Sequence, residues 1–199
     1  MRMKNRFTKV FICFLALGCA KPDGLLPRNE VAFADLRNAT TYLIKTGNHY
    51  SEQNAPQVMQ RDSISATITF DSSAVYTSVN SGNQADVNKL LGFSDCANDH
   101  MQNSARIGWS WNGHSLELYA YAYTQQSRTI KSLGNFELNK PVHCLIKATN
   151  NYYYFHAGNT TDSIPRYCDE YNGSRYKLFP YFGGDETAPH EINILIAED

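Results

Sequence analysis

The chain has 199 residues, with 18 basic and 19 acidic side chains. Four of the basic residues fall within Met1–Gly18, so the remainder holds 14 against 19, a formal charge of −5. That sign excludes a nucleic-acid partner, whose affinity comes from Lys and Arg neutralising phosphates. A low charged fraction with 13 Tyr, 10 Phe and 2 Trp excludes disorder and suits one β-rich domain with a substantial core.

The N-terminus comes first in chain order. Arg2, Lys4, Arg6 and Lys9 precede an apolar run, Val10–Leu17 (VFICFLAL), and then Gly18 and Cys19. A basic start, a short apolar core and a small residue before a cut form the pattern of an export signal. Eight residues of helix cover about 12 Å, against a bilayer core of about 30 Å, so the run is too short to span a membrane. Cys19 after Ala16-Leu17-Gly18 resembles the bacterial lipobox. That resemblance implies that residues 1–18 are removed, that Cys19 carries acyl chains, and that the membrane is a partner through this anchor. Ala20 follows the cysteine where an Asp would favour retention at the inner membrane, so the expected location is the outer membrane, at the cell surface or the periplasmic face. Residues 19–35, with Pro22, Gly24 and Pro27, read as a tether. Residues 36–199 read as one β-sandwich domain.

Period-two alternation, the strand signal, recurs through that domain. Ile64, Ala66, Ile68 and Phe70 share one face of a strand, and Val75, Thr77 and Val79 suggest another. Asp86–Leu91 reads as the one helix, with Asp86 as its cap and Gly92 as its end. Ile107, Trp109 and Trp111 share a face that points to the core. Asn112-Gly113 then turns the chain into a strand from Leu116 to Tyr123. There Leu116, Leu118, Ala120 and Ala122 face one way, and Glu117, Tyr119, Tyr121 and Tyr123 the other. A second hairpin, around Asn150-Asn151, pairs His143–Thr149 with Tyr152–Ala157. Gly183-Gly184 reads as a bend, and Ile192, Ile194 and Ile196 form the closing strand. Many short strands between turn signals indicate an all-β sandwich or barrel.

Cys96, Cys144 and Cys168 remain beside Cys19, an odd count that allows at most one bridge. Cys144 alternates with Val142, Ile146 and Ala148 as a buried small hydrophobe would; Cys96–Cys168 is the candidate pair. The polar loop Phe93–Arg106 offers Asp95, Asn98 and Asp99 as oxygen ligands, yet their spacing fits no calcium loop. It reads as a self-hydrogen-bonded loop in which Arg106 pairs a nearby acid. The six histidines (49, 100, 114, 143, 156 and 190) show no ligand spacing. No metal and no cofactor is assigned.

Three stretches, Ile44–Tyr50 (IKTGNHY), Asn88–Trp111 and Leu178–Ile196 (LFPYFGGDETAPHEINILI), resemble lipoproteins of glycan-degrading Gram-negative bacteria in the concanavalin A-like lectin/glucanase superfamily. The resemblance implies a jelly-roll β-sandwich of two antiparallel sheets with sugars on one face. It leaves function open among lectins, hydrolases, lyases and structural modules.

Tyrosine rings stack on the C–H faces of sugars, and polar neighbours satisfy the hydroxyls. Glu117, Tyr119, Tyr121 and Tyr123, and Tyr152, Tyr154 and His156 on the second hairpin, are therefore the candidate carbohydrate-binding residues. High strand preference alone would also place Tyr there. Catalysis has weaker support. The glucanase Glu-x-Asp-x-x-Glu strand, which supplies the two carboxylates of a retaining glycosidase, is absent; Asp169-Glu170 and Asp185-Glu186 are adjacent pairs. Tyr154-Phe155-His156-Ala157-Gly158 resembles the lyase Tyr-Phe-Lys-Ala-Gly segment, with His156 in place of Lys, and Val142-His143 matches half of the lyase Gln-Ile/Val-His motif. The expectation is a glycan-binding lipoprotein. A lyase or hydrolase with a rearranged site, and a structural envelope subunit without a sugar ligand, are the alternatives.

Overall fold

The computed structural model describes residues 36–168 and 174–199. The segments read from the sequence as export signal and tether, with Cys19, lie outside them, as does the pair Asp169-Glu170. Among the described residues, twelve strands form two six-stranded antiparallel sheets. In the first, β1 (Thr40–Ile44), β12 (Ile192–Glu198), β3 (Ser63–Phe70), β8 (Val142–Ala148), β9 (Tyr152–Ala157) and β10 (Thr160–Pro165) lie side by side in that order. In the second the order is β2 (Val58–Met59), β11 (Arg175–Leu178), β4 (Asn88–Ser94), β5 (Ser104–Trp111), β6 (Leu116–Thr124) and β7 (Ser127–Phe136).

The expected alternations set the core. Ile64, Ala66, Ile68 and Phe70 face Leu116, Leu118, Ala120 and Ala122 across one buried cluster, which Ile192, Ile194 and Ile196 join. Trp109 is fully buried at its centre, between Phe70, Tyr76 and Phe182; Trp111 packs on its margin. Large fully buried aromatics each bury enough apolar area to contribute about 3 kcal/mol. Cys144 is buried and free, as its alternation indicates.

Two segments depart from the sequence reading. Asp86–Leu91 is not a helix. A short 3-10 turn ends at Ala85, and Asn88 begins β4. A bulge sets the three steps from Lys89 to Gly92 against the two from Gly108 to Arg106, which breaks the period of two. Leu90 and Leu91 are then both buried, and a contiguous apolar run cannot be told from a helix by periodicity. Val75–Val79 is no strand either: Val75 and Val79 are exposed, while Tyr76 is buried. Its ring meets Trp109 and Phe182, and its hydroxyl accepts a hydrogen bond from Asn88 Nδ2 at 3.0 Å.

The turns follow local chemistry. In the Asn112–Ser115 turn, Gly113 takes a positive φ, and Asn112 Oδ1 accepts from the backbone N–H of His114 and Ser115. Between β6 and β7 the turn is Gln125-Gln126, both with positive φ. That is the hairpin geometry for which Asn-Gly is preferred. Backbone N–H groups of this turn donate to Asn103 Oδ1 and Gln102 O, which pin it to the polar loop.

One buried network ties the two sheets together at an end. Asp95, fully buried, accepts from Arg166 Nε at 2.5 Å, Arg175 Nε at 2.9 Å and the Tyr153 hydroxyl at 2.8 Å. Tyr153 belongs to the first sheet and Arg175 to the second. The Cys96–Cys168 disulfide closes the chain beside this network, with its Cα atoms 6.0 Å apart. Asp95 is thus the anion of two arginines, not a cation ligand. The rest of the loop is self-bonded as expected, with Asp99 Oδ1 accepting from Met101 N–H and Asp99 O from Gln102 N–H.

Candidate functional site

Since the inner faces of both sheets share one core, their alternate residues point to opposite sides of the sandwich. The two predicted tyrosine rows are therefore separated. Glu117, Tyr119, Tyr121 and Tyr123 lie on the outer face of the second sheet. Tyr152, Tyr154 and His156 lie on the outer face of the first, with Tyr152 and Tyr154 exposed. The two lyase-like fragments meet there, with the His143 and His156 rings 5.8 Å apart and His143 Nε2 3.1 Å from Asp199 Oδ2. Burial, with the charge of His143 second, holds the His156 pKa below its usual value. These residues form no single site with the β6 row.

The second sheet's outer face carries a groove of about 880 Å³. Lys89, Arg106 and Tyr121 form its floor on β4, β5 and β6, with Arg106 directly opposite Tyr121 in the ladder. Tyr50, Pro56, Tyr181, His100, Met101 and Tyr123 contribute to its walls. Tyr181 is held by two backbone hydrogen bonds to Lys89, and its ring stacks on His49 at 5.1 Å and meets Tyr50 edge-on at 4.9 Å. Tyr121 and Tyr123 are 5.9 Å apart. Within the predicted row, then, Tyr121 and Tyr123 line the groove. Tyr119 and Glu117 continue the same face beyond it, with their polar ends taken by Ser110 and Ser132 respectively.

Electrostatically the groove is one-sided. The Lys89 ammonium sits between two rings, 5.4 Å from the centre of Tyr121 and 5.8 Å from that of Tyr181, a cation–π bracket. Burial, and then the charges of Arg106 and Arg128, hold its pKa down at about 8. Arg106 is buried, and burial lowers its pKa to about 10. Its Nη2 donates to the carbonyls of Phe179 and Leu90 at 2.5 and 3.3 Å, while Nε has no partner. Among the described residues the expected pairing of Arg106 with an acid does not occur, because Asp95 is buried and taken by Arg166 and Arg175. Tyr121 is pushed up to about 12, by burial first and then by its hydrogen bond with Tyr123.

Glycines make room for the cations. A Cβ on Gly92, opposite Arg106 in the ladder, would lie 2.1 Å from Ala105 O and 2.7 Å from Arg106 Cγ. One on Gly183 would lie 2.3 Å from Lys89 Nζ. Gly183-Gly184 is a bend, as expected, and also the clearance above Lys89.

Nothing in single-sequence periodicity singles out Lys89, Arg106 or Tyr181. The lone Arg between Ala105 and Ile107, in an otherwise uncharged strand, is the available signal. No Asp or Glu lines the groove among the described residues, so two-carboxylate glycosidase chemistry has no residues there to carry it.

No family model matches this sequence, and no curated protein is similar to it. Solved structures are similar in shape. The alginate lyase AlyC3 superposes with a TM-score of 0.54 at 10% identity, over 81% of this chain and 74% of the lyase. The fold is the concanavalin A-like jelly roll. The jelly roll is shared with the catalytic domain of an endo-1,3-beta-glucanase (laminarinase) from Thermotoga petrophila RKU-1, at a TM-score of 0.52 and 6% identity over 80% of this chain and 75% of that one. The Bacteroides ovatus mixed linkage glucan PUL GH16, in complex with its G4G4G3G product, matches at 0.51 and 9% identity, over 80% and 79%.

Proposed function

We propose that this protein is an outer-membrane lipoprotein, anchored through Cys19, whose jelly-roll domain binds a glycan in the groove of its second sheet. The observation that carries this reading is the groove itself. Five tyrosines, Tyr50, Tyr121, Tyr123, Tyr176 and Tyr181, line a cleft of about 880 Å³ whose floor carries hydrogen-bond donors. A sugar presents C–H faces that suit the rings and hydroxyls that suit the donors, and largely pre-formed clefts of this size are the usual setting of a ligand site. Proteins of the same fold hold saccharides: AlyC3 is known with dimannuronate and the Bacteroides ovatus protein with its oligosaccharide product. The anchor rests on the basic, apolar and Gly18-Cys19 pattern of the N-terminus.

Two measurements test the proposal. Full-length protein and a Cys19→Ala variant are fractionated; the variant should leave the membrane fraction, and its persistence there would remove the anchor. The protein is then assayed for retention on a broad polysaccharide panel, with ultraviolet absorbance and reducing ends recorded after incubation. Retention without new ends is expected. New ends with absorbance would reassign the protein as a lyase, new ends alone as a hydrolase, and silence across the panel would favour a structural subunit.

A further inference from the structure

The chain carries more acids than bases outside its first 18 residues, yet the groove lining holds Lys89, Arg106 and Lys177 and no Asp or Glu. Lys177 is spoken for, because its ammonium pairs with Glu198. Lys89 and Arg106 are not. Neither has a carboxylate partner among the described residues; the nearest acid to act on Lys89, Asp86, lines the small adjoining cleft beside Arg128 and is the weakest of the influences on it. Arg106 spends Nη2 on two carbonyls and leaves Nε, a buried donor, unused. Buried cations without counter-ions are costly, and an unsatisfied buried donor needs an explanation. The depressed pKa values of both groups register that cost. Gly92 and Gly183 hold the space around the two side chains open, where any Cβ would collide with them.

Resting on the glycan-binding reading above, we infer that the ligand is an acidic polysaccharide, with one carboxylate or sulfate group held by Arg106 and Lys89 and the sugar rings flanked by Tyr121 and Tyr181. Either anion supplies the counter-charge the fold omits. A guanidinium beside an ammonium forms strong, charge-assisted hydrogen bonds with such oxygens. The tyrosines accept the sugar without regard to the anion's identity.

The test uses the full chain in detergent and matched pairs of polymers: polygalacturonate and alginate, each beside its carboxyl-reduced form, and dextran sulfate beside dextran. At physiological ionic strength at least one acidic member should be retained on the order of tenfold or more tightly than its neutral counterpart, and the arm that responds tells uronate from sulfate. Arg106 supports the carbonyls of Leu90 and Phe179, so Lys89, half-buried, carries the mutational test. Lys89→Met should weaken retention about tenfold. Lys147→Met, which removes the same charge from the exposed side of the first sheet, should leave retention unchanged. Equal retention of acidic and neutral members would overturn this inference while leaving glycan binding in place, as would equal effects of the two lysine variants. Silence from acidic and neutral members alike would remove both readings.

Discussion

Replacing Asp95 by Asn removes one negative charge and almost no volume, and the structure sets its cost. The carboxylate is fully buried, as are the side chains of its partners Arg166 and, nearly so, Arg175. It accepts four hydrogen bonds, from two guanidinium groups, the Tyr153 hydroxyl and the Cys96 backbone N–H. An amide in its place keeps one acceptor but turns an N–H donor toward other donors, and it removes the negative charge that both guanidinium groups share. Breaking a single buried pair in this way costs about 3–5 kcal/mol, so about 4 kcal/mol or more is expected. In urea unfolding with the disulfide intact, a slope of about 2 kcal/mol per molar turns this into a midpoint lowered by about 2 M. A shift below about 0.5 M would refute the argument that Asp95 is the electrostatic tie between the sheets.

Three other expectations concern the groove and the bridge beside Asp95. Tyr121→Ala should weaken retention on a bound polysaccharide about tenfold or more, whereas Tyr154→Ala, on the opposite face, should leave it intact; titration of the two variants side by side decides between the faces. Affinity for an acidic polysaccharide should fall as pH rises through about 8, because the anion binds the protonated ammonium of Lys89. The charged and titratable groups facing it are Arg106, Arg128, Asp86, Tyr121 and Tyr181; Arg106 at about 10 and Tyr121 at about 12 change charge above that window, so Lys89→Met should flatten the profile between pH ~7 and ~9. Removing the Cys96–Cys168 bridge, which spans 72 residues, should lower stability by about 4 kcal/mol on the chain-entropy account, measured by thermal unfolding of the double Ala variant.

The strands with one wet face were legible because burial imposes a period of two on them. Ile192–Ile196, Leu116–Tyr123 and Tyr152–Ala157 all keep it, and all fold as read. Legibility failed where another constraint erased the period. The β4 bulge puts Leu90 and Leu91 on the core together, so that Asp86–Leu91 imitates a helix. In β7, an edge strand with only Leu133 buried, too few side chains meet the core to mark the pattern. Its turn, Gln125-Gln126, adopts positive φ through hydrogen bonds to a distant loop rather than through residues that favour that geometry. The alternation at Val75–Val79 is real in the sequence, but the buried residue there is Tyr76, chosen by Trp109, Phe182 and Asn88.

The groove was hidden for a different reason. A row of tyrosines on one strand is visible to alternation, which is why Tyr121 and Tyr123 were found. A site made by neighbouring strands is set by register, and register depends on the whole sheet. Lys89 and Arg106 are 17 positions apart in sequence, and Tyr181 lies 75 positions beyond Arg106. Only the β4–β5 pairing, the β5–β6 pairing and the bridge of Tyr181 to Lys89 bring them onto one floor. Pairing decided charge as well. Arg106 lies in the sequence near Asp95, Asp99 and no other acid on its loop, so an internal ion pair was the economical reading. Asp95 instead turns inward to two arginines brought from Arg166 and Arg175, and Arg106 is left facing the groove. The same event that locks the two sheets at one end therefore strips Arg106 of its counter-ion. Losing Asp95 should then destabilise the fold without altering the groove: an Asp95 variant that still folds keeps a lining with no Asp or Glu among the described residues, and its preference for acidic over neutral polymers should survive even as its unfolding midpoint drops.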